Sequence, residues 1–196
     1  MHFPSLRLTR AEVQSRAHRA TGQRGYYRLG KGGRDPSQVG PWKPHLDKGK
    51  VKGQEIPACD CSGGTAWILG YDRWYDDGTD DGVWFDTSEI LRDAKRKTGN
   101  KLFRTIPYSD RILPGDVLVY PDAPALGWKQ GHVMVVTSIL PGFVRGQRTP
   151  GKEWWRFVQG VDVSTGRGSS AARYRKHAKL WEDRGGSFVR YLHLVD

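Results

Sequence analysis

Two short stretches hold side chains that could do chemistry together. Asp60-Cys61-Ser62-Gly63 runs into the apolar Thr65-Ala66-Trp67-Ile68-Leu69, and Gly131-His132 opens a second apolar run, Val133-Met134-Val135-Val136. A thiol at a predicted helix start and an imidazole at a predicted strand start are the nucleophile and base of a cysteine hydrolase. A cysteine attacks a carbonyl as its thiolate, which requires a pKa below the free value of about 8.5, and both a helix N-terminus and a nearby imidazole supply that pull. The small Ser62-Gly63-Gly64 lets a substrate backbone approach, and N–H groups at this helix start can form an oxyanion hole. His132 needs an orienting partner on its second ring nitrogen. Asp162, in Gly160-Val161-Asp162-Val163-Ser164, lies on the predicted neighbouring strand, with Gln159 and Ser164 as alternatives. Cys59 lacks the Ser-Gly that follows Cys61 and reads as a packing residue or a redox partner of Cys61.

Other clusters read less sharply. Asp77, Thr79, Asp81 and Gly82 begin like a calcium loop, but the register then puts Ser88 where a bidentate Glu belongs. Residues 76–82 are therefore read as a solvated acidic loop, with reception of a substrate amine as the alternative use. Lys31-Gly32-Gly33 lacks the rest of a phosphate loop. Trp67, Trp74 and Trp84 read as core, with Trp84 also placed to line a cleft. The histidines other than His132 are read as surface residues.

The elements that must position these groups follow from local signals. Thr9-Arg10-Ala11-Glu12 is a capping box and predicts a helix to about Thr21, ended by Gly22. Residues 30–57, rich in Gly, Pro and Lys, read as a long loop or insertion with little regular structure. Cys61 to Leu69 reads as a helix ended by Gly70, and Tyr71 to Gly82 as a polar loop. Asp86 or Thr87 caps a helix to about Thr98. Pro114-Gly115-Asp116 is a turn into a strand from Val117 to Tyr120. Val133 to Ile139 reads as a central strand covered on both faces. Pro141-Gly142 turns the chain, Trp154 to Val163 returns as a strand, Ser169 to Trp181 has helical composition, and Phe188 to Leu194 is a last strand. Helices first and strands later predict an α+β fold with an antiparallel sheet.

Bulk composition narrows the function classes. The chain has 196 residues, 37% of them hydrophobic, enough for one domain with a core. Its two cysteines, one residue apart, make neither a disulfide framework nor a structural zinc set. No apolar run is long enough to span a membrane. Met1 to Arg10 lacks the apolar core of a signal peptide, so action outside the cytoplasm is expected to follow lysis, a phage particle or injection. The net charge of +11 is uneven: +9 over residues 1–53, −5 over 54–122 and +7 over 123–196. Basic flanks suit an anionic partner such as wall polymer, acidic lipid or nucleic acid. The dispersed Lys and Arg and the lack of a recognition motif argue against nucleic acid.

Asp60-Cys61-Ser62-Gly63, with Pro114-Gly115-Asp116 and Gly131-His132-Val133 downstream, resembles the NlpC-type cell-wall cysteine peptidases. The resemblance covers roughly residues 10–165 and implies a papain-like α+β fold that cleaves peptide bonds in peptidoglycan stems without metal or cofactor. It implies Cys61 as nucleophile, His132 as base and Asp162 as the third polar residue, where the family more often has His. It also implies a site-shaping role for Tyr27, in Tyr27-Arg28-Leu29-Gly30, with Tyr26 as substitute. Two departures, the long interval from Tyr27 to Cys61 and the extended connection at residues 140–153, are expected to remodel the cleft. The implied partner is peptidoglycan, with phage tail proteins or an immunity protein as further partners. The rival reading is a phage tail structural or assembly protein on a hydrolase-like fold, with the Cys and His as remnants.

Overall fold

The three helices among the described residues start at the residues whose side chains cap them. A computed structural model describes residues 3–46, 53–75, 83–107, 110–124, 130–139, 158–163, 172–176 and 184–195. Helix α1 (Arg10–Gly22) opens with the reciprocal Thr9–Glu12 capping box. Helix α2 (Cys61–Leu69) is capped by Asp60, and Gly70 ends it in the left-handed conformation at φ 83°. Helix α3 (Thr87–Lys95) is capped by Asp86, whose carboxylate accepts from the Ser88 and Glu89 N–H groups. It stops before Thr98 because the Lys101 ammonium takes the Arg96 carbonyl at 3.0 Å, while Asp93 turns to the N–H groups of Leu102 and Phe103.

The main sheet has six strands in the order β10-β9-β8-β7-β11-β6, all antiparallel. They are β6 (Phe103–Thr105), β7 (Asp116–Tyr120), β8 (His132–Ile139), β9 (Val158–Val163), β10 (Ala172–Lys176) and β11 (Ser187–Tyr191). The helices lie on one face: Val13, Ala17, Trp67, Ile68 and Ile90 pack there with Val117, Val119, Val133, Val135 and Val163. The other face carries a second cluster of Ile106, Ile112, Leu118, Met134, Val136 and Phe188. Strand β8 is therefore central and apolar on both faces, as its unbroken run predicts. This is an α+β arrangement with an antiparallel sheet. The Pro114-Gly115-Asp116 turn places Gly115 at φ 87° and buries Asp116, which receives Arg190 through two contacts of 2.8 Å.

Three expectations need correction. Residues 30–57 are not without regular structure: β2 (Lys43–Leu46) pairs antiparallel with β3 (Glu55–Cys59), which pairs parallel with β1 (Tyr26–Tyr27). Prolines at 44 and 57 hide these strands from pattern reading; Pro44 sits on an edge strand, and Pro57, on the middle strand, precedes Ala58 and Cys59, the residues that pair with β1. Residues Tyr71, Asp72 and Arg73 are buried, and β4 (Trp74–Tyr75) pairs with β5 (Val83–Trp84), so the predicted polar loop begins with a buried segment and a paired strand. Within the stretch of helical composition at 169–181, residues 172–176 are a strand, because the edge of β9 offers it a full ladder. The acidic segment 76–82, the 140–153 connection, Ser164 and the Pro141-Gly142 turn lie outside the described residues. No helix of the described residues is long and apolar enough to cross a membrane.

Candidate active site

Asp60 builds the helix end on which Cys61 sits. Its Oδ1 accepts the Gly63 N–H at 2.8 Å, and its Oδ2 accepts the Gly30 N–H at 2.6 Å. Its own N–H donates to the Lys31 carbonyl at 3.0 Å. Cys61 is the first residue of α2, at the positive end of the helix dipole. Since the Gly63 and Gly64 N–H groups are committed to Asp60, the N–H groups of Cys61 and Ser62 are the donors this helix end has left for an oxyanion. Glycine is required here by close approach, since a Cβ on Gly64 would stand 2.5 Å from a Val163 methyl.

His132 opens β8 and Asp162 lies on β9. Asp162 is registered against Met134, two residues beyond His132, so the three side chains share a face. His132 Nε2 is 2.9 Å from Asp162 Oδ2. With Nε2 engaged, Nδ1 is the nitrogen left for Cys61. Burial opposes charge on His132. The hydrogen bonds to Asp162 and Cys61, with the charges of both, outweigh it and raise its pKa from 6.5 to about 9. The glycine before it is also forced, because a Cβ on Gly131 would meet Thr87 Oγ1 and the Tyr120 carbonyl.

Tyr27 reaches the same place despite its distance in sequence. The parallel β1–β3 pair sets Tyr27 against Cys59, and the Arg28 N–H donates to the Cys59 carbonyl at 3.0 Å. Burial pushes the Tyr27 phenol up, and Cys61 and Asp60 push it further. Tyr26, its neighbour, is exposed. The structure thus brings together Cys61, His132, Asp162 and Tyr27. It places Cys59 apart, fully buried, with its Sγ donating to the Asp60 carbonyl at 3.2 Å. Burial first, then the charge of Asp60, pushes the Cys59 thiol well up. Gln159 is turned to Ser138, whose hydroxyl donates to it at 3.2 Å. His18 and His193 are exposed and His45 is half-buried, while His2 and His177 lie outside the described residues.

A cleft opens over Cys61. It is lined by Tyr27, Leu29, Cys61 and Ser62, together with Asp86, Thr87, Ser88, Asp122, Gln130 and Gly131. His132 and Asp162 are not among the residues that line it. Arg73, which also lines it, is the residue sequence reasoning missed: it is 2% exposed and its Nη1 lies 2.7 Å from Asp60 Oδ1. A lone Arg after an apolar helix is a weak signal, because nothing local says the guanidinium turns inward. Trp84 does not line the cleft; its ring carries the Arg73 guanidinium at 4.4 Å. Among the described residues, no cluster of His, Cys, Asp or Glu has the form of a metal site. Chemically the arrangement offers a thiol, an imidazole held by a carboxylate, and free backbone donors, the set needed for acyl transfer. No family model matches the chain, and neither the curated proteins nor the solved structures contain a match to it.

Proposed function

We propose that the chain is a cysteine hydrolase of NlpC-like, papain-like type that cleaves amide bonds in peptidoglycan stem peptides. The observation that supports it most is the His132–Asp162 contact of 2.9 Å beside a cysteine at a helix N-terminus. In this reading the Cys61 thiolate adds to the carbonyl carbon, and the oxyanion is held by the Cys61 and Ser62 N–H groups. The imidazolium of His132 protonates the leaving amine as the C–N bond breaks and a thioester forms. His132 then takes a proton from water, which attacks the thioester and releases the acid and the thiolate. Asp162 keeps Nδ1 aimed at the sulfur. Tyr27 borders the oxyanion. The substrate lies at the bacterial wall, reached by lysis, a phage particle or injection.

Peptidoglycan from several bacteria, incubated with the protein and with Cys61→Ala, tests this by mass spectrometry of released fragments. Stem-peptide cleavage is expected with the parent chain only. Equal cleavage by both would sink the assignment of Cys61. No cleavage by either, with Cys61 alkylated no faster than a free thiol, would favour a structural role in a phage tail.

A further inference from the structure

Among the described residues that line the cleft, Arg73 is the only one with a positive charge. Its guanidinium is engaged on every side. Nη1 pairs with Asp60 Oδ1 at 2.7 Å and donates to the Lys31 carbonyl at 3.3 Å. Nη2 donates to Ser62 Oγ at 2.7 Å, and Nε donates to the Phe85 carbonyl at 3.2 Å. The Arg73 main chain adds to this, its N–H donating to Gly33 and its carbonyl accepting from Phe85, each at 2.9 Å. One side chain thus ties the start of α2 to the loop after Tyr27 and to the segment that enters α3.

Asp60 poses an electrostatic conflict that this geometry resolves. Its carboxylate is needed to cap α2, yet a negative charge one residue before the thiol opposes a thiolate. We propose that Arg73 is a positioning residue for Cys61, fixing the Asp60 carboxylate and cancelling its charge beside the thiol. The same competition is felt by the neighbours. Burial is the largest influence on Cys59 and Tyr27 and pushes both up; Asp60 adds to the rise and Arg73 opposes it in each. The proposal deepens the hydrolase reading, since it takes Cys61 as the nucleophile.

Iodoacetamide alkylation of the whole chain between pH 6 and 10 tests it, with Cys61 labelling assigned by fragment mass. Among the described residues, the titratable groups around the thiol besides Asp60 and Arg73 are Tyr27 on β1, Cys59 on β3, Tyr120 on β7, and His132 on β8 with its partner Asp162, and Asp86 and Asp122 line the same cleft. All of these stay in place in the variants. Arg73→Met is expected to slow alkylation at pH 7 about tenfold, the gap closing by pH 9.5. Should Arg73→Met not fold, Asp60→Asn is compared with Asp60→Asn/Arg73→Met, a pair that never leaves a lone buried carboxylate. The single variant is then expected to react faster than the double at pH 7. Matching pH–rate profiles within either pair overturn the proposal. Peptidoglycan cleavage is scored separately. Shifted profiles without cleavage remove the function reading and keep Arg73's role, whereas matching profiles with intact cleavage remove Arg73's role alone.

Discussion

At the scale of residues, the sharpest expectations concern His132. Folding raises its affinity for a proton, so the charged imidazole contributes stability that is fully present below about pH 6.5 and is lost as pH rises through about 9. The thermal stability gap between the protein and His132→Ala is therefore expected to be wider at pH 6 than at pH 10. A gap that ignores pH would show that the imidazole is not held charged. Asp162→Ala removes the first of the forces that raise this pKa, since burial alone pushes it down. NMR titration should then place the His132 midpoint well below 9, and hydrolysis should fall about a hundredfold or more. An unmoved midpoint would deny Asp162 its orienting role. Cys61, His132 and Asp162 were legible in the sequence because each sits beside a local signal: small residues leading into an apolar run, a glycine, a pair of valines. Arg73 was not, because its partners Asp60, Ser62, Lys31 and Phe85 are spread from 11 to 42 residues away.

At the scale of elements, α2 packs on β8 and β9, the strands that carry His132 and Asp162. Gly64 leaves no room for a methyl group, because its Cβ would stand 2.5 Å from the Val163 Cγ2 atom, and a β-branched side chain has little freedom to yield. Gly64→Ala is expected to cost about 1–3 kcal/mol in urea unfolding and to slow hydrolysis by moving α2 off the sheet. Wild-type values for both would mean that α2 rides more loosely on β9. The same local logic explains which elements could be read in advance. Helices α1 and α3 announce themselves by Thr9 and Asp86, whose caps act within three residues, and α2 by its apolar run and the Gly70 stop. Strands β1 to β5 are two to five residues long and exist only through their partners, so composition does not reveal them. Strand β10 is the plainest case, a segment of helical composition drawn into a ladder by the open edge of β9.

At the scale of the whole molecule, the proposed function makes charge the first thing that decides what the protein meets. The net charge of +11 is concentrated away from the segment that holds Cys61, with +9 in the first 53 residues. Attraction of this kind is screened as the Debye length shrinks from about 10 Å at 0.1 M salt to about 3 Å at 1 M. Co-sedimentation with walls bearing anionic polymer should fall steeply over that range, and walls stripped of the polymer should bind weakly throughout. Salt-independent binding would place recognition in the cleft instead. The parallel pairing of β1 with β3 has a different reach. It clips Tyr27 and Arg28 to Cys59 at both edges of the stretch between them, so the thiol and its phenol neighbour meet whatever length of chain runs from one to the other. Gly30, Lys31 and Gly33, at the start of that stretch, are tied to Asp60 and Arg73, so an evolving lineage, or an engineer, can exchange what lies beyond them while the chemistry stays put.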